Sequence, residues 1–307
     1  MRRECCVSVS QMLVLCNARR IKRTRVAWML LWAFVINSVL ICSVVSLAQC
    51  STGDGVPYIS EVMLLCKRGV HAFVPWLCFV AFAALVVVQL SWMEHVAREW
   101  RKWCAYSVEV GAINTTYDGR VVHEWRVGHV IFWFLAIAAV AGFGCVVRFD
   151  WRDTSAVEMA MHKTGVVLLA FGGFGALQVV WVMLRSGDSV ARLRGEVDGY
   201  VFARDVPFLS WVEVDVVFVV VLAVFMVTTL IGSHAVVSAV FEYIAFGMLL
   251  GQTTWLFVLC WERDRWARGR IKGRVVGEMN DSRATRLLWA LLTTYAVEAF
   301  VVLVVVL

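Results

Sequence analysis

Seven apolar segments, each about as long as a membrane-spanning helix, divide the chain and constrain its fold more than any other feature. They are residues 26–48, 70–92, 129–147, 164–184, 216–232, 235–260 and 287–307. A hydrocarbon core of ~30 Å requires roughly 20 apolar residues in a helix. Charged residues make up only 17% of the chain, whereas soluble domains carry about a quarter. The sequence therefore predicts an integral membrane protein without a separate soluble domain.

The apolar segments are predicted to be α-helices. The other spanning structure is a closed barrel, whose strands alternate apolar and polar residues. Residues 216–222 are instead apolar at every position. We predict an all-α integral membrane protein: a basic tail (1–25), a six-helix transmembrane bundle (26–260), a basic linker (261–286) and a seventh transmembrane helix (287–307).

Arginine and lysine residues concentrate on one side of this predicted bundle. Of the 29 in the chain, 24 lie in segments 1–25, 93–127, 185–210 and 261–286, and four lie in the opposite connections. Because cytosolic loops carry the excess of these residues, the N-terminus is predicted to be cytosolic. The first apolar segment has 23 residues, more than the roughly 7–15 of a signal peptide, so it is predicted to remain as a helix.

Glu242 is the most informative single residue, because ionisable groups inside a membrane are costly and mark functional sites. At a rise of about 1.5 Å per residue, it lies about 10 Å below the lumenal end of the sixth segment. His162 and Lys163 open the fourth segment on the same side. Three interpretations stay open for this lumenal polar group: Glu242 pairs with Lys163 to lock two helices, the group binds a lipid headgroup or substrate, or it is catalytic.

Several other polar or small residues receive simpler predictions. Glu213 and Asp215 open the fifth segment on the cytosolic side and are given no specific role, and Glu298 interrupts the last segment. Cys50 and Cys66 bracket the first lumenal loop; they either form a disulfide in an oxidising compartment or stay free.

Two small-xxx-small pairs favour close approach of helix backbones. They are Ala138/Gly142 and Gly172/Ala176.

Motifs for the common catalytic and cofactor sites are missing from the sequence. It contains no P-loop, no GxSxG, no HExxH and no glycine-rich dinucleotide loop. Its histidines and carboxylates lack the spacing of a metal site. We predict no catalytic residue, no cofactor, no metal and no nucleic-acid partner. Membrane lipids are the predicted partners.

Three short motifs resemble the family of damage-regulated autophagy modulators (DRAM), which includes Golgi factors that act on GPI-anchored proteins after attachment. They are Pro57-Tyr58-Ile59-Ser60-Glu61 in the first lumenal loop, His162-Lys163-Thr164-Gly165 at the fourth segment and Phe241-Glu242-Tyr243 in the sixth. Their order and the loop lengths agree with the family over residues 26–260. The segment 287–307 departs from the family plan, as an added helix or as part of a longer fusion.

The resemblance implies a lumenal site formed by Glu61, His162, Lys163 and Glu242, supported by Pro57, Ser60 and Tyr243. It implies an endomembrane protein of the Golgi and endoplasmic reticulum, or of the lysosome or vacuole. The first functional hypothesis is a lipid-handling factor in remodelling or sorting GPI-anchored proteins. The alternatives are a lysosomal or vacuolar modulator of autophagy, a small-solute or proton-coupled transporter, and, as the enzymatic one, a lumenal acyl hydrolase.

Overall fold

The structure is a computed structural model that describes residues 74–109, 120–149, 155–193, 211–231 and 235–271, and four residues near the C-terminus (290, 293, 294 and 297). Within these ranges the secondary structure is helical and contains no strand, which confirms the all-α prediction for this part of the chain. The predicted segment 26–48 and most of 287–307, including Glu298, lie outside the described residues.

Five long helices make up the described part. Helix α1 runs through an α-helical piece Val74–Ala84, a π-helical turn Leu85–Leu90 and a second α-helical piece Ser91–Glu109. The others are α2 (Arg120–Arg148), α3 (Ala156–Leu193), α4 (Trp211–Ile231) and α5 (Ala235–Ile271).

Four stretches of these helices are long and apolar enough to cross a membrane. They are Phe79–Arg101 in α1, Val127–Arg148 in α2, Ala156–Ser186 in α3 and Val237–Trp261 in α5. Helix α4, which contains most of the predicted segment 216–232, is a 21-residue helix.

The outer surface of the helices is apolar. On α2, Val130, Phe134 and Ile137 are 65%, 72% and 63% exposed, at the spacing of one helix face. Soluble proteins rarely expose continuous apolar stripes of this kind. The fold is therefore that of an α-helical integral membrane protein.

Most of the helices extend beyond the predicted apolar segments. Residues 93–109, predicted as part of a cytosolic connection, continue α1 by a further 17 residues of its second α-helical piece. This extension is amphipathic, with Met93, Ala97 and Trp100 buried while His95 and Glu99 are exposed. A hydropathy window ends where charges begin, but a helix continues as long as one face stays packed.

The π-helical turn changes the spacing of the buried face of α1. Ala81 and Val86 are buried five positions apart, and the later buried positions, such as Leu90 and Met93, are three or four apart. A regular α-helix repeats every 3.6 residues, so the five-residue step, which leads from Ala81 into the start of the turn, departs from the regular repeat. Ser91 completes the turn by donating its hydroxyl to the Val86 carbonyl at 3.2 Å.

Glycines allow α2 and α3 to pack with their backbones in contact. A Cβ atom added at Gly142 would lie 2.6 Å from the Gly165 carbonyl oxygen, and one added at Gly165 would lie 2.7 Å from the Gly142 carbonyl oxygen. One at Gly172 would lie 2.7 Å from the backbone nitrogen of Ala139. The predicted close approach at Gly142 and Gly172 is therefore confirmed, and Gly165 belongs to the same contact.

Candidate functional site

All five described helices line an apolar cavity of about 200 Å³ in the middle of the bundle. It lies between the α2–α3 pair and the α4–α5 pair, and α1 contributes residues from Ala81 to Leu90, before and within the π-helical turn. Apart from Glu242 and Thr253, every described residue that lines it is apolar or glycine. The cavity is therefore an apolar space with a polar group at only two points.

Glu242 supplies the single carboxylate among the described residues of this lining. It is half-buried on α5, eight residues into the helix that begins at Ala235. Thr253 lies three turns further along the same helix and donates its hydroxyl to the Leu249 carbonyl at 2.7 Å. Since the threonine proton is used within the helix, the described lining offers a molecule in the cavity the Glu242 carboxyl group and the acceptor side of the Thr253 hydroxyl.

Phe246 marks where the cavity meets the outer surface of the described helices. Its side chain lines the cavity and is 39% exposed. It lies one turn from Glu242, beside the exposed residues Ile244 and Gly247 on the outer side of α5. Among the described helices, the lining of the cavity therefore reaches the outer surface at Phe246.

His162 and Lys163, which were predicted to share a site with Glu242, do not line the cavity. His162 is buried, and its Nδ1–H donates to the Phe149 carbonyl at 2.9 Å, which joins the start of α3 to the end of α2. Lys163 is exposed, and neither residue lines the cavity. Among the ion pairs of the described residues, none joins Lys163 to Glu242. Of the predicted site residues that the structure describes, only Glu242 therefore lines the cavity.

The remaining motif residues divide between the described and the undescribed chain. Tyr243 is half-buried on α5 next to Glu242. The predicted lumenal residues and the possible disulfide lie outside the described residues: Pro57, Ser60, Glu61, Cys50 and Cys66. Across the described ranges, no three His, Cys, Asp or Glu side chains are placed to hold a metal ion.

Asp215 joins three helices, although the sequence analysis gives it no specific role. Its Oδ1 accepts a hydrogen bond from Gln178 Nε2 on α3 and another from Gln252 Nε2 on α5, both at 2.9 Å. Gln252 is only 1% exposed. A carboxylate that accepts two amide donors is well satisfied, and such bonds are worth more than neutral ones. Asp215 therefore holds α3, α4 and α5 together beyond the cavity.

Glu94 forms a second buried polar centre, which the sequence analysis missed. The residue is 1% exposed. Its Oε1 forms an ion pair with Arg98, with Nε at 2.6 Å, and a hydrogen bond with His129 Nδ1 at 2.8 Å. The first contact is within α1 and the second joins α1 to α2. The spacing of Glu94 and Arg98 by four residues is the sequence signal that was available.

Arg263 completes this end of the bundle on α5. It is 2% exposed, and its guanidinium carbon lies 5.4 Å from the centre of the Trp100 ring on α1. Nearby, the buried Cys260 Sγ–H donates to the Met93 carbonyl at 3.6 Å. A guanidinium over an indole ring is a favourable arrangement. These contacts and the Asp215 centre hold the helices together at one end of the cavity. The site is therefore an apolar space next to polar contacts that join its helices.

Comparison with protein families, with curated proteins and with solved structures finds no match to this chain. The resemblance to the DRAM family therefore stays a prediction. The helices and the cavity define the class: an α-helical integral membrane protein with a central apolar cavity.

Proposed function

We propose that this chain is a multi-pass lipid-handling protein that takes the apolar chain of a membrane lipid into its central cavity. The cavity itself carries the proposal, because it is apolar over nearly all of its lining and reaches the outer surface at Phe246. An apolar cavity of roughly 150 Å³ is enough for a benzene molecule, and this one has about 200 Å³. Several methylene groups of an acyl chain fit in such a space.

The proposed role within the cell rests on the sequence motifs. We place the chain in an endomembrane of the secretory pathway, with a cytosolic N-terminus and six spans followed by a seventh. Its proposed task is remodelling or sorting GPI-anchored proteins, which would be its partners together with membrane lipids. Phe241-Glu242-Tyr243 supports this branch. The loop sequence Pro57-Tyr58-Ile59-Ser60 supports the alternative, a lysosomal or vacuolar modulator of autophagy.

A GPI-anchored reporter tests the proposal when a cavity variant is compared with a matched surface variant. Gly173→Phe places a ring in the cavity, where the nearest atoms to an added Cβ belong to the Leu249 side chain at 3.5 Å. Gly247→Phe makes the same substitution on α5 at a glycine with open space around it. The two phenylalanine variants, together with Glu242→Ala and a deletion of the protein, are compared with the wild type. The measured quantities are the surface level of the reporter and the composition of its anchor lipid.

We expect the deletion, Gly173→Phe and Glu242→Ala to change the reporter in the same direction, and Gly247→Phe to match the wild type. If the reporter and its lipid stay unchanged in the deletion, the GPI role is wrong and the lysosomal alternative takes its place. If the deletion changes the reporter but Gly173→Phe does not, the cavity is not the working site.

A further inference from the structure

A dense run of basic residues follows the apolar part of α5. Residues 265–274, here called the basic run, carry five arginines and lysines and no acidic residue in ten positions. We infer that the basic run binds the headgroups of anionic lipids, such as phosphatidylserine, on the side of the membrane predicted to be cytosolic. The inference rests on the proposed orientation of the chain and does not depend on the cavity.

The net charge of the basic run exceeds what the orientation of the chain requires. Lysine and arginine in the connecting loops set orientation, whereas acidic residues contribute little to it. The connections 93–127 and 185–210 satisfy this rule with balanced charge, since the first has five basic and five acidic residues and the second has four of each. The basic run has no acidic residue to offset its charge. Such a region has a positive potential that attracts anions, so a negatively charged partner explains the excess.

The first seven residues of the basic run lie on a helix that continues out of the apolar span. The span ends at Trp261, whereas α5 ends at Ile271. At about 1.5 Å per residue, Arg265 lies about 6 Å and Arg268 about 10 Å beyond the end of the span. The headgroup layer is roughly 5–8 Å thick on each side of a bilayer, and electrostatic attraction extends a further ~8 Å at physiological salt. The helix therefore places these arginines within reach of lipid headgroups.

Contacts just before the basic run fix the place where α5 leaves the bundle. Arg263, two residues before the run, is buried with its guanidinium carbon 5.4 Å from the centre of the Trp100 ring on α1. One turn earlier, Cys260 Sγ–H donates to the Met93 carbonyl on α1 at 3.6 Å. A binding surface that is held in place before it meets its ligand loses less entropy on binding. The start of the basic run is therefore a prepared surface at the edge of the bundle.

Membrane lipid fits this surface better than a soluble anion does. Trp266 lies between the first two arginines of the run, and tryptophan is enriched at the level of the headgroups. Basic clusters directly next to the cytosolic end of a span attract the anionic lipids of that leaflet, and each lysine or arginine adds to the attraction. A lipid reaches this depth by diffusing within the membrane, whereas an acidic protein or a nucleic acid must approach from the water.

Two photoactivatable lipids test the inference: phosphatidylserine and phosphatidylcholine, each with a diazirine close to the headgroup. The full chain is placed in phosphatidylcholine nanodiscs that contain a trace of one probe, irradiated, and digested to measure the label on residues 262–286. Because one lysine or arginine near an anionic lipid surface raises association about fivefold, phosphatidylserine should label this segment of the wild type about fivefold more than phosphatidylcholine. The ratio should fall toward one in 1 M salt, where the Debye length is only about 3 Å.

A triple variant removes three charges from the helical part of the basic run: Arg265→Gln, Arg268→Gln and Arg270→Gln. Its ratio of the two labels should fall to less than about half of the wild-type ratio, and the corresponding triple lysine variant should keep the wild-type ratio. A glutamine variant that keeps the full preference would place the anion-binding surface elsewhere, such as at the basic residues 19–25, and would overturn the inference.

The matched control removes three arginines from the balanced connection on the same predicted side: Arg185→Gln, Arg192→Gln and Arg194→Gln. It should keep the wild-type ratio of labels. If the ratio falls equally in both glutamine variants, the preference reflects the total charge of that side, and the assignment to the basic run is wrong.

The wild-type result needs no variant and decides the question even if the triple variants fail to fold. Equal labelling by the two probes in the wild type would overturn the inference. Binding of a labelled polyglutamate peptide to the full chain in that case would assign the basic run to an acidic protein instead. Gly173→Phe in the cavity should leave the ratio of labels unchanged, so this outcome and that of the GPI-anchored reporter are independent.

Discussion

Replacing Gly172 by alanine is expected to force α2 and α3 apart, whereas the same replacement at its neighbour Gly173 is not. At Gly172 the new Cβ would lie 2.7 Å from the Ala139 nitrogen and 2.7 Å from the Leu135 carbonyl oxygen, both backbone atoms. Ordinary contact begins at 3.4 Å, so the two helices would have to separate locally by about 0.7 Å. At Gly173 the nearest atom is a Leu249 methyl at 3.5 Å.

The expected difference in stability follows from these distances. Forcing extra volume into a packed interface costs ~1–3 kcal/mol. Alanine also favours a helix over glycine by about 1 kcal/mol, but this gain is common to both variants and cancels in their comparison. Gly172→Ala should therefore be less stable than Gly173→Ala by about 1–3 kcal/mol, and Gly173→Ala should equal or exceed the wild type.

The assay is the free energy of unfolding of the full chain, measured by titrating detergent micelles with a denaturing detergent. Comparing two adjacent positions of one helix removes most differences in expression and micelle binding. If the two variants unfold with the same free energy within a few tenths of a kcal/mol, the backbone contact between α2 and α3 is not as close as described, and the packing argument is refuted.

Substitutions at three further residues test the polar contacts. Glu94→Ala should lower the unfolding free energy by about 2 kcal/mol, because it removes the contacts to Arg98 and His129. Glu99→Ala, on the exposed side of the same helix, should lower it by under about 1 kcal/mol. Equal effects of the two variants would refute the Glu94 centre. Asp215→Ala should lower the unfolding free energy by about 2 kcal/mol, because it leaves two glutamine amides without their acceptor. Asp215→Asn should lower it by about half of that. The same titration measures both variants, with Glu213→Ala at an exposed position as the control. His162→Ala should cost about 1 kcal/mol and leave the surface level of the GPI-anchored reporter unchanged, so a changed reporter in a stable variant would contradict its structural role.

The helical class of the fold follows from the sequence because the energetic cost of polar groups in hydrocarbon leaves little choice. A barrel strand places alternate residues toward lipid and toward the barrel interior, whereas residues 216–222 are apolar at every position. A helix is then the structure that satisfies the backbone hydrogen bonds of such a run inside a membrane. The same argument fixes the core of each span. The cost of polar groups does not determine where a helix ends, because the end depends on packing against other helices. Hydropathy therefore did not predict the extension of α1 over residues 93–109 or the burial of Glu94 within it.

The candidate site was predictable only in part. Glu242 is conspicuous in sequence because it interrupts an apolar segment, and the structure places it in the cavity lining. The cavity itself has no sequence signal, since it is the space left where five helices meet. The same holds for Asp215: its role depends on Gln178 and Gln252, each 37 residues away, and hydropathy treats two such glutamines as ordinary polar residues. His162 carries a motif, yet its ring bonds the preceding connection.

The π-helical turn in α1 has a consequence for how the chain can change in length. Each residue added to or removed from an α-helix rotates everything beyond it by about 100°. A deletion between Met93 and Trp100 would therefore turn the later part of the buried face away from α3 and α5. Between Ala81 and Val86, where the helix enters the π-helical turn, the two buried residues are five apart, one more than the regular step of four. Removal of one residue there restores the ordinary spacing, so a shorter chain can keep both the cavity and Glu94 facing inward.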